Sequence, residues 1–189
     1  MHHDELWQLY YPNGEPIVGK GWVSALGNPE ETGADKIVGV AVVFLYRFNL
    51  EGELEFLWQK RSEQVDRHPG FYDISAGGHI NLGESLLGAA IRECREEIGV
   101  SIDENELQYI TMIPFNKNRF AWVWGVDWSK RADAFEFNDK EVSEVRWVKY
   151  AEMEDFRKKF AKPPLQRDKL TFSFLRRWLE MHGLVDGNI

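Results

Sequence analysis

Ile37 to Tyr46 (Ile-Val-Gly-Val-Ala-Val-Val-Phe-Leu-Tyr) form an unbroken apolar run rich in β-branched side chains. A half-exposed strand would alternate apolar and polar residues; a run without alternation predicts a central strand buried on both faces. Its neighbours must then supply cover. Leu54 to Arg61 follows the turn Asn49-Leu50-Glu51-Gly52-Glu53 and predicts a partner strand, with Leu54, Phe56 and Trp58 on one face. Phe71–Ser75, Leu107–Phe115, Phe120–Trp128 and Val142–Val148 read as further strands, the middle two joined by the turn Asn116-Lys117-Asn118-Arg119. A helix is expected from Tyr150 to Phe160, stopped by Lys162-Pro163-Pro164. Another is expected from Arg167 to Met181, burying Leu170, Phe174, Leu175 and Trp178. At the start of the chain, Asn13-Gly14 between two alternating stretches signals a β-hairpin. Strands, one helix, more strands and then helices describe an α+β sandwich with a mixed sheet.

The one helix inside the strand region begins after Gly77-Gly78, read as a loop where the backbone approaches a neighbour closely or turns with positive φ. Leu87, Ala90, Ile91, Cys94 and Ile98 fall at helical spacing on one stripe, and Gly99 supplies the C-terminal stop. Glu93, Glu96 and Glu97 lie on another face, within roughly 100° of its circumference. Three like charges so close repel one another, by a few tenths of a kcal/mol (~0.3) per pair. A hard divalent cation such as Mg²⁺, which takes oxygen ligands and commonly bridges carboxylates to phosphates, would remove that cost.

Gly78, five residues, Glu84, seven residues, then Arg92-Glu93-Cys94-Arg95-Glu96-Glu97-Ile98-Gly99-Val100 resembles the Nudix box, G-x5-E-x7-R-E-U-x-E-E-x-G-U, at every fixed position. The resemblance implies an α/β/α Nudix sandwich; with the hairpin read from Asn13-Gly14, the chain divides into residues 1–36 as N-terminal β-hairpin and arm and 37–189 as the Nudix domain. It implies a pyrophosphatase cleaving the phosphoanhydride of a nucleoside diphosphate derivative or related organic pyrophosphate. Glu93, Glu96 and Glu97, with a carbonyl from Gly77 or Gly78, would bind Mg²⁺ or Mn²⁺. Arg92 and Glu84 would position that group, and Glu96 or Glu97 would serve as general base, with Glu141 and Glu144 as candidates outside the box.

Beyond the box, Lys60, Arg61, Arg67 and His68 are cations and a histidine suited to a distal phosphate. Phe71, Phe115, Trp122 and Trp124 suit either a stacked nucleobase or the core. His79 marks a branch: Pro69-Gly70-Phe71-Tyr72-Asp73-Ile74-Ser75-Ala76-Gly77-Gly78-His79 is similar to isopentenyl diphosphate isomerase, which binds metal through a histidine at this place. Proton transfer on an isoprenoid diphosphate is therefore the alternative activity, and a non-catalytic nucleotide-binding module the third. Against the isomerase, Gly77 stands where its catalytic cysteine would be. No histidine lies between His3 and His68, and Phe115–Val126 holds no acidic residue. The intact glutamates argue against a binding module.

The net charge of −8 speaks against a nucleic-acid polymer as partner, since that affinity rests on clustered Lys and Arg. Cys94 is the lone cysteine, so no internal disulfide can form, and a reducing compartment fits. The N-terminus lacks a signal-peptide pattern, and the longest apolar run is too short to span a bilayer, so a cytoplasmic protein is expected, with no membrane partner. A homodimer through the N-terminal arm is compatible with the residues; a lid is another use for it. Substrate choice is expected to lie in residues 19–36, 62–70 and 129–141.

Overall fold

The computed structural model describes residues 5–23, 36–116, 118–137 and 140–186. Most of the arm between 19 and 36, and two residues of the 129–141 loop, lie outside these. The strands are β1 (Leu6–Tyr10), β2 (Pro16–Val23), β3 (Ile37–Phe48), β4 (Leu54–Arg61), β5 (Tyr72–Asp73), β6 (Ala76–His79), β7 (Gln108–Asn116), β8 (Arg119–Asp127) and β9 (Val142–Lys149). The helices are α1 (Leu86–Ile98), α2 (Tyr150–Phe160), α3 (Pro163–Arg167) and α4 (Leu170–Met181).

All the strands belong to one mixed sheet organised by β3. On one edge β3 pairs antiparallel with β1 at Ile37–Val38, with β6 at Val40–Val43 and with β4 at Tyr46–Phe48. On its other edge it runs parallel to β8 from Val38 to Tyr46. The buried run of β3 is therefore sandwiched twice. Ala41, Val43 and Leu45 face the α1 side, with Leu57, Ala90, Cys94, Ile98, Trp122 and Trp124. Val42, Phe44 and Tyr46 face the α4 side, with Phe56, Trp58, Leu175, Trp178 and Leu179. Each Val, Leu, Ile or Phe among them removed from water contributes roughly 1.5–3 kcal/mol, which fixes the register of β3 on both faces at once.

The N-terminal hairpin is part of this sheet. Gly14 takes φ +86° at its turn, and Gln8 N–H donates to Ile80 O at 2.8 Å. Two expectations need correction. Phe71–Ser75 is not one strand: β5 pairs with β4, the chain crosses over, and β6 pairs with β3. Ser75 makes the crossing by donating its hydroxyl to Leu57 O at 2.6 Å and accepting from Leu45 N–H at 2.9 Å. Consequently Gly77 and Gly78 sit in a strand, opposite Val42 and Ala41, and not in a loop.

The last helix likewise begins at Leu170 after the separate turn of α3. Its buried face is Thr171, Leu175, Trp178 and Leu179, while Leu170 and Phe174 are exposed. Residues at i, i+4 and i+7 from Thr171 define the stripe, and the two exposed residues stand one position off it.

Candidate active site

The helix α1 is capped by Ser85, whose hydroxyl accepts Gly88 N–H at 2.9 Å, and closed by Gly99, at φ +71°. Between these ends it lies against β6. The two glycines there permit the contact: a Cβ on Gly78 would stand 2.2 Å from Glu93 Oε1, and one on Gly77 2.6 Å from Ala41 O. Neither glycine has positive φ, so close approach is the reason for both.

Glu97 and Glu93 are consequently buried, at 5% and 8% exposure. Glu97 Oε2 accepts from Gln59 Nε2 at 2.9 Å and from Gly77 N–H at 2.8 Å. Burial, and then the neighbouring Glu93 charge, push its pKa well above the usual carboxylate range. Burial raises Glu93 to about 7, against the lowering pull of Arg92. Arg92 clasps Glu84 through two bonds of 2.8 and 3.1 Å, and donates to Glu93 at 2.8 Å, Glu96 at 2.9 Å and His79 O at 2.8 Å. Glu84 also accepts Asn81 N–H at 2.9 Å, which ties the Arg92 cluster to the loop before α1.

Glu93, Glu96 and Glu97 form one wall of a cavity of about 540 Å³. Arg61, Arg67, His68, Lys162 and Arg119 also line it, as do Asp73 and Glu141. Asp73, 5% exposed, pairs with Lys162 and, at 3.8 Å, with Arg61. Arg61 Nε donates to Arg67 O at 3.0 Å, so this cationic side is linked together. His79 lines the cavity beneath Trp7, with rings stacked 3.6 Å apart at 8°. Its Nε2 is enclosed without a partner, and burial lowers its pKa to about 3. The hairpin thus contributes Glu5 and Trp7 to the cavity wall.

Of the other residues singled out from sequence, Phe115 lines the cavity. Lys60 and Glu144 do not; they pair with each other at 3.8 Å, and Glu144 also accepts from the Tyr72 hydroxyl. Trp122 and Trp124 are in the core on the α1 side, and Phe71 packs edge-on to His68. Among the contributors not foreseen are Gln59, Asp73, Lys162, Arg119, Glu5 and Trp7. Gln59 had a signal, as a polar residue following Leu57-Trp58 in a strand whose face is otherwise buried. Lys162 had none, because its position depends on the chain returning to donate Lys162 N–H to Tyr72 O at 2.8 Å.

The predicted convergence of the three glutamates is only partly met. Among the described residues no three acidic, histidine or cysteine side chains stand close enough to hold a cation as they are. Arg92 binds Glu93 and Glu96, while Glu97 is bonded to Gln59 and Gly77. The donor set nevertheless suits a hard divalent ion. Two desolvated carboxylates lie side by side beside a third that is 42% exposed, and a cation among them would offset the burial, and the repulsion between neighbouring carboxylates, that raise Glu93 and Glu97.

A layered sheet, with a carboxylate-bearing helix seated on a glycine strand at the edge of a cavity, defines an α/β/α sandwich with its site at the helix–strand contact. The family profile for the NUDIX domain matches residues 35–168, and the chain belongs to that family. Its curated relatives include an uncharacterised Nudix hydrolase of Listeria innocua, 31% identical over 116 residues, covering 61% of this chain and 67% of that protein. Another is YfcD of Salmonella typhi, an uncharacterised Nudix hydrolase 34% identical over 102 residues and 52% of each chain. Nudix hydrolase 3 of Arabidopsis thaliana is 33% identical over 118 residues, covering 57% of this chain but 15% of its own length. The chain thus spans about half, or much less, of some curated relatives it matches.

Among solved structures, DR0079 of Deinococcus radiodurans matches with TM-score 0.67 at 22% identity, over 91% of this chain and 98% of that one. The NUDIX domain of Shewanella oneidensis NrtR, complexed with ADP ribose, matches with TM-score 0.58 at 18% identity, over 82% and 96%. Both share the fold. Among the described residues, no helix is long and apolar enough to cross a membrane.

Proposed function

We propose that this chain is a Mg²⁺-dependent hydrolase that splits the pyrophosphate linkage of a nucleoside diphosphate derivative or a related organic pyrophosphate. The observation that carries the reading is the pairing, in one cavity, of buried Glu93 and Glu97 with the cations Arg61, Arg67 and Lys162. Glu93, Glu96 and Glu97, with a carbonyl of Gly77 or Gly78, would hold Mg²⁺ or Mn²⁺. The ion would supply charge neutralisation and acidification of the attacking water.

The chain's own residues do the rest. Arg61, Arg67 and Lys162 bind phosphate oxygens and hold the anhydride in line. Arg92 fixes Glu93 and Glu96 against Glu84. Gln59 and Gly77 fix Glu97 through Oε2, which leaves Oε1 to take the proton from water. Glu96, the most exposed of the three, is the other candidate base.

The ADP ribose held by the Shewanella domain is itself a nucleoside diphosphate derivative, which agrees with this substrate class. The isomerase alternative fits poorly, because a cysteine at position 77 would place its Cβ 2.6 Å from Ala41 O.

A screen of dinucleoside polyphosphates, nucleotide sugars, NADH, ADP-ribose and nucleoside triphosphates with Mg²⁺ or Mn²⁺ tests the proposal. Glu97→Gln should keep the fold and lower kcat by roughly 10²–10⁴-fold. Undiminished metal-dependent turnover by that variant would refute the role of Glu97. Absence of turnover across the panel would refute hydrolysis.

A further inference from the structure

The cavity continues past the carboxylates and cations. It is also lined by Val40 and Val42 of β3 and Ala121 of β8, all on the α4 side of the sheet, and, where α3 leads into α4, by Leu165, Asp168 and Thr171. At that end two polar groups have no protein partner: Oδ2 of Asp168 and the hydroxyl of Thr171. Thr171 is 4% exposed.

The fold explains only part of this pair. Asp168 Oδ1 accepts Thr171 N–H at 3.1 Å and so satisfies a donor at the start of α4, a task that needs one oxygen. Thr171 is the second residue of α4, so no helical carbonyl lies one turn behind it, and its hydroxyl finds no acceptor elsewhere among the described residues. Valine would fill the same space without enclosing an unsatisfied hydroxyl, which costs stability. Two polar groups that folding does not use therefore belong to residues lining a cavity beside the apolar side chains Val40, Val42, Ala121 and Leu165, the composition of a site that orients a ligand.

Their chemistry states what such a ligand must offer. An ionised carboxylate only accepts hydrogen bonds, and it repels phosphate. The phosphates belong at the Arg61, Arg67 and Lys162 side, and the end near Asp168 must receive the uncharged organic part of the molecule. We propose that Asp168 and Thr171 form the subsite that selects the organic end of the substrate, by reading an N–H or O–H donor carried on it. This rests on the hydrolase reading above. On a nucleoside diphosphate derivative such donors include the exocyclic amine of the base and the ribose diol.

The test uses the full chain and substrate pairs differing in one donor: adenosine against purine riboside diphosphate derivatives for the amine, and ribose against 2′-deoxyribose for the diol. The wild type should favour one donor-bearing partner by at least about tenfold in kcat/KM, because a site built to bond a donor leaves its own groups unpaired when the donor is missing. Asp168→Asn, which retains a capping oxygen, and Thr171→Val should each reduce that ratio towards one. Thr171→Val should do so without lowering the melting temperature. The pair that collapses identifies amine or diol as the group read. Ratios near one in the wild type, or variants that slow every substrate equally, would overturn the subsite. Should no substrate turn over, the hydrolase reading fails separately. Calorimetric binding of adenosine, purine riboside and deoxyadenosine monophosphates then decides: a wild-type preference lost in both variants supports the subsite, and equal binding throughout overturns it.

Discussion

Replacing Gly78 with alanine adds one methyl group at the contact between β6 and α1. The new Cβ would stand 2.2 Å from Glu93 Oε1, 2.5 Å from Cδ and 2.7 Å from Oε2. Ordinary contact requires the carboxylate to retreat by about 1 Å. The Arg92–Glu93 bond of 2.8 Å would then stretch to about 3.8 Å, beyond hydrogen-bonding range. A hydrogen bond to a charged group contributes roughly 1.5–3 kcal/mol. At 1.4 kcal/mol per factor of ten, Mg²⁺ affinity should weaken by about 10- to 150-fold if Glu93 must keep that position to bind the ion. Global stability should change less, because Gly78 lies outside the positive-φ region and alanine narrows the unfolded ensemble, offsetting about 0.4–1 kcal/mol. Mn²⁺ titration followed by electron paramagnetic resonance reads the affinity, and thermal unfolding reads the fold. Gly77→Ala is the control: its Cβ meets the Ala41 carbonyl at 2.6 Å, and backbone cannot step aside. That variant should lose about 1–3 kcal/mol of stability. Unchanged Mn²⁺ affinity in Gly78→Ala would refute the reasoning.

Gln59→Leu removes one of two donors to Glu97 and should lower kcat by about tenfold or more with little change in KM, as measured by steady-state kinetics. Asp73→Asn leaves Lys162 and Arg61 without their shared counter-charge; denaturant titration should show a loss of about 1–3 kcal/mol, and kcat/KM should fall. His79 is held neutral, with its pKa lowered from 6.5 to about 3 by burial, so between those values the unfolded chain binds the extra proton. Its contribution to stability is complete above pH 6.5 and is lost as pH falls towards 3, and His79→Phe should flatten that slope in urea titrations. Trp7→Ala, which removes the ring stacked on His79, should open the cavity to solvent and raise KM more than it lowers kcat.

The sequence reveals those parts of the molecule where the cause is local. The ends of β4 and α2 follow from periodicity and from the prolines after Lys162. Arg92, Glu93, Glu96 and Glu97 are legible because their spacing on one helix is itself the geometry. Gly77 and Gly78 suggest close approach correctly and a loop wrongly, since glycine in a strand looks the same when the partner is a distant carboxylate. Lys162, Asp73 and Thr171 come together only after the chain has folded back over the sheet. Nothing near them in sequence records that encounter. Leu170 and Phe174 show the same limit on a smaller scale: the helix period was visible, but its phase is set by the proline-started turn of α3.

The arrangement of β3 also governs the order in which this protein can be made. Its parallel partner β8 pairs Val38 with Arg119, about eighty residues downstream, so closing this ladder is costly in chain entropy and slow. On the ribosome, one whole edge of the most apolar strand waits until Asp127 has emerged. A chain truncated before Arg119 would present that edge, with Val38, Val40 and Val42, as a template for another copy. Nascent chains halted there should aggregate, and those released after β8 should not.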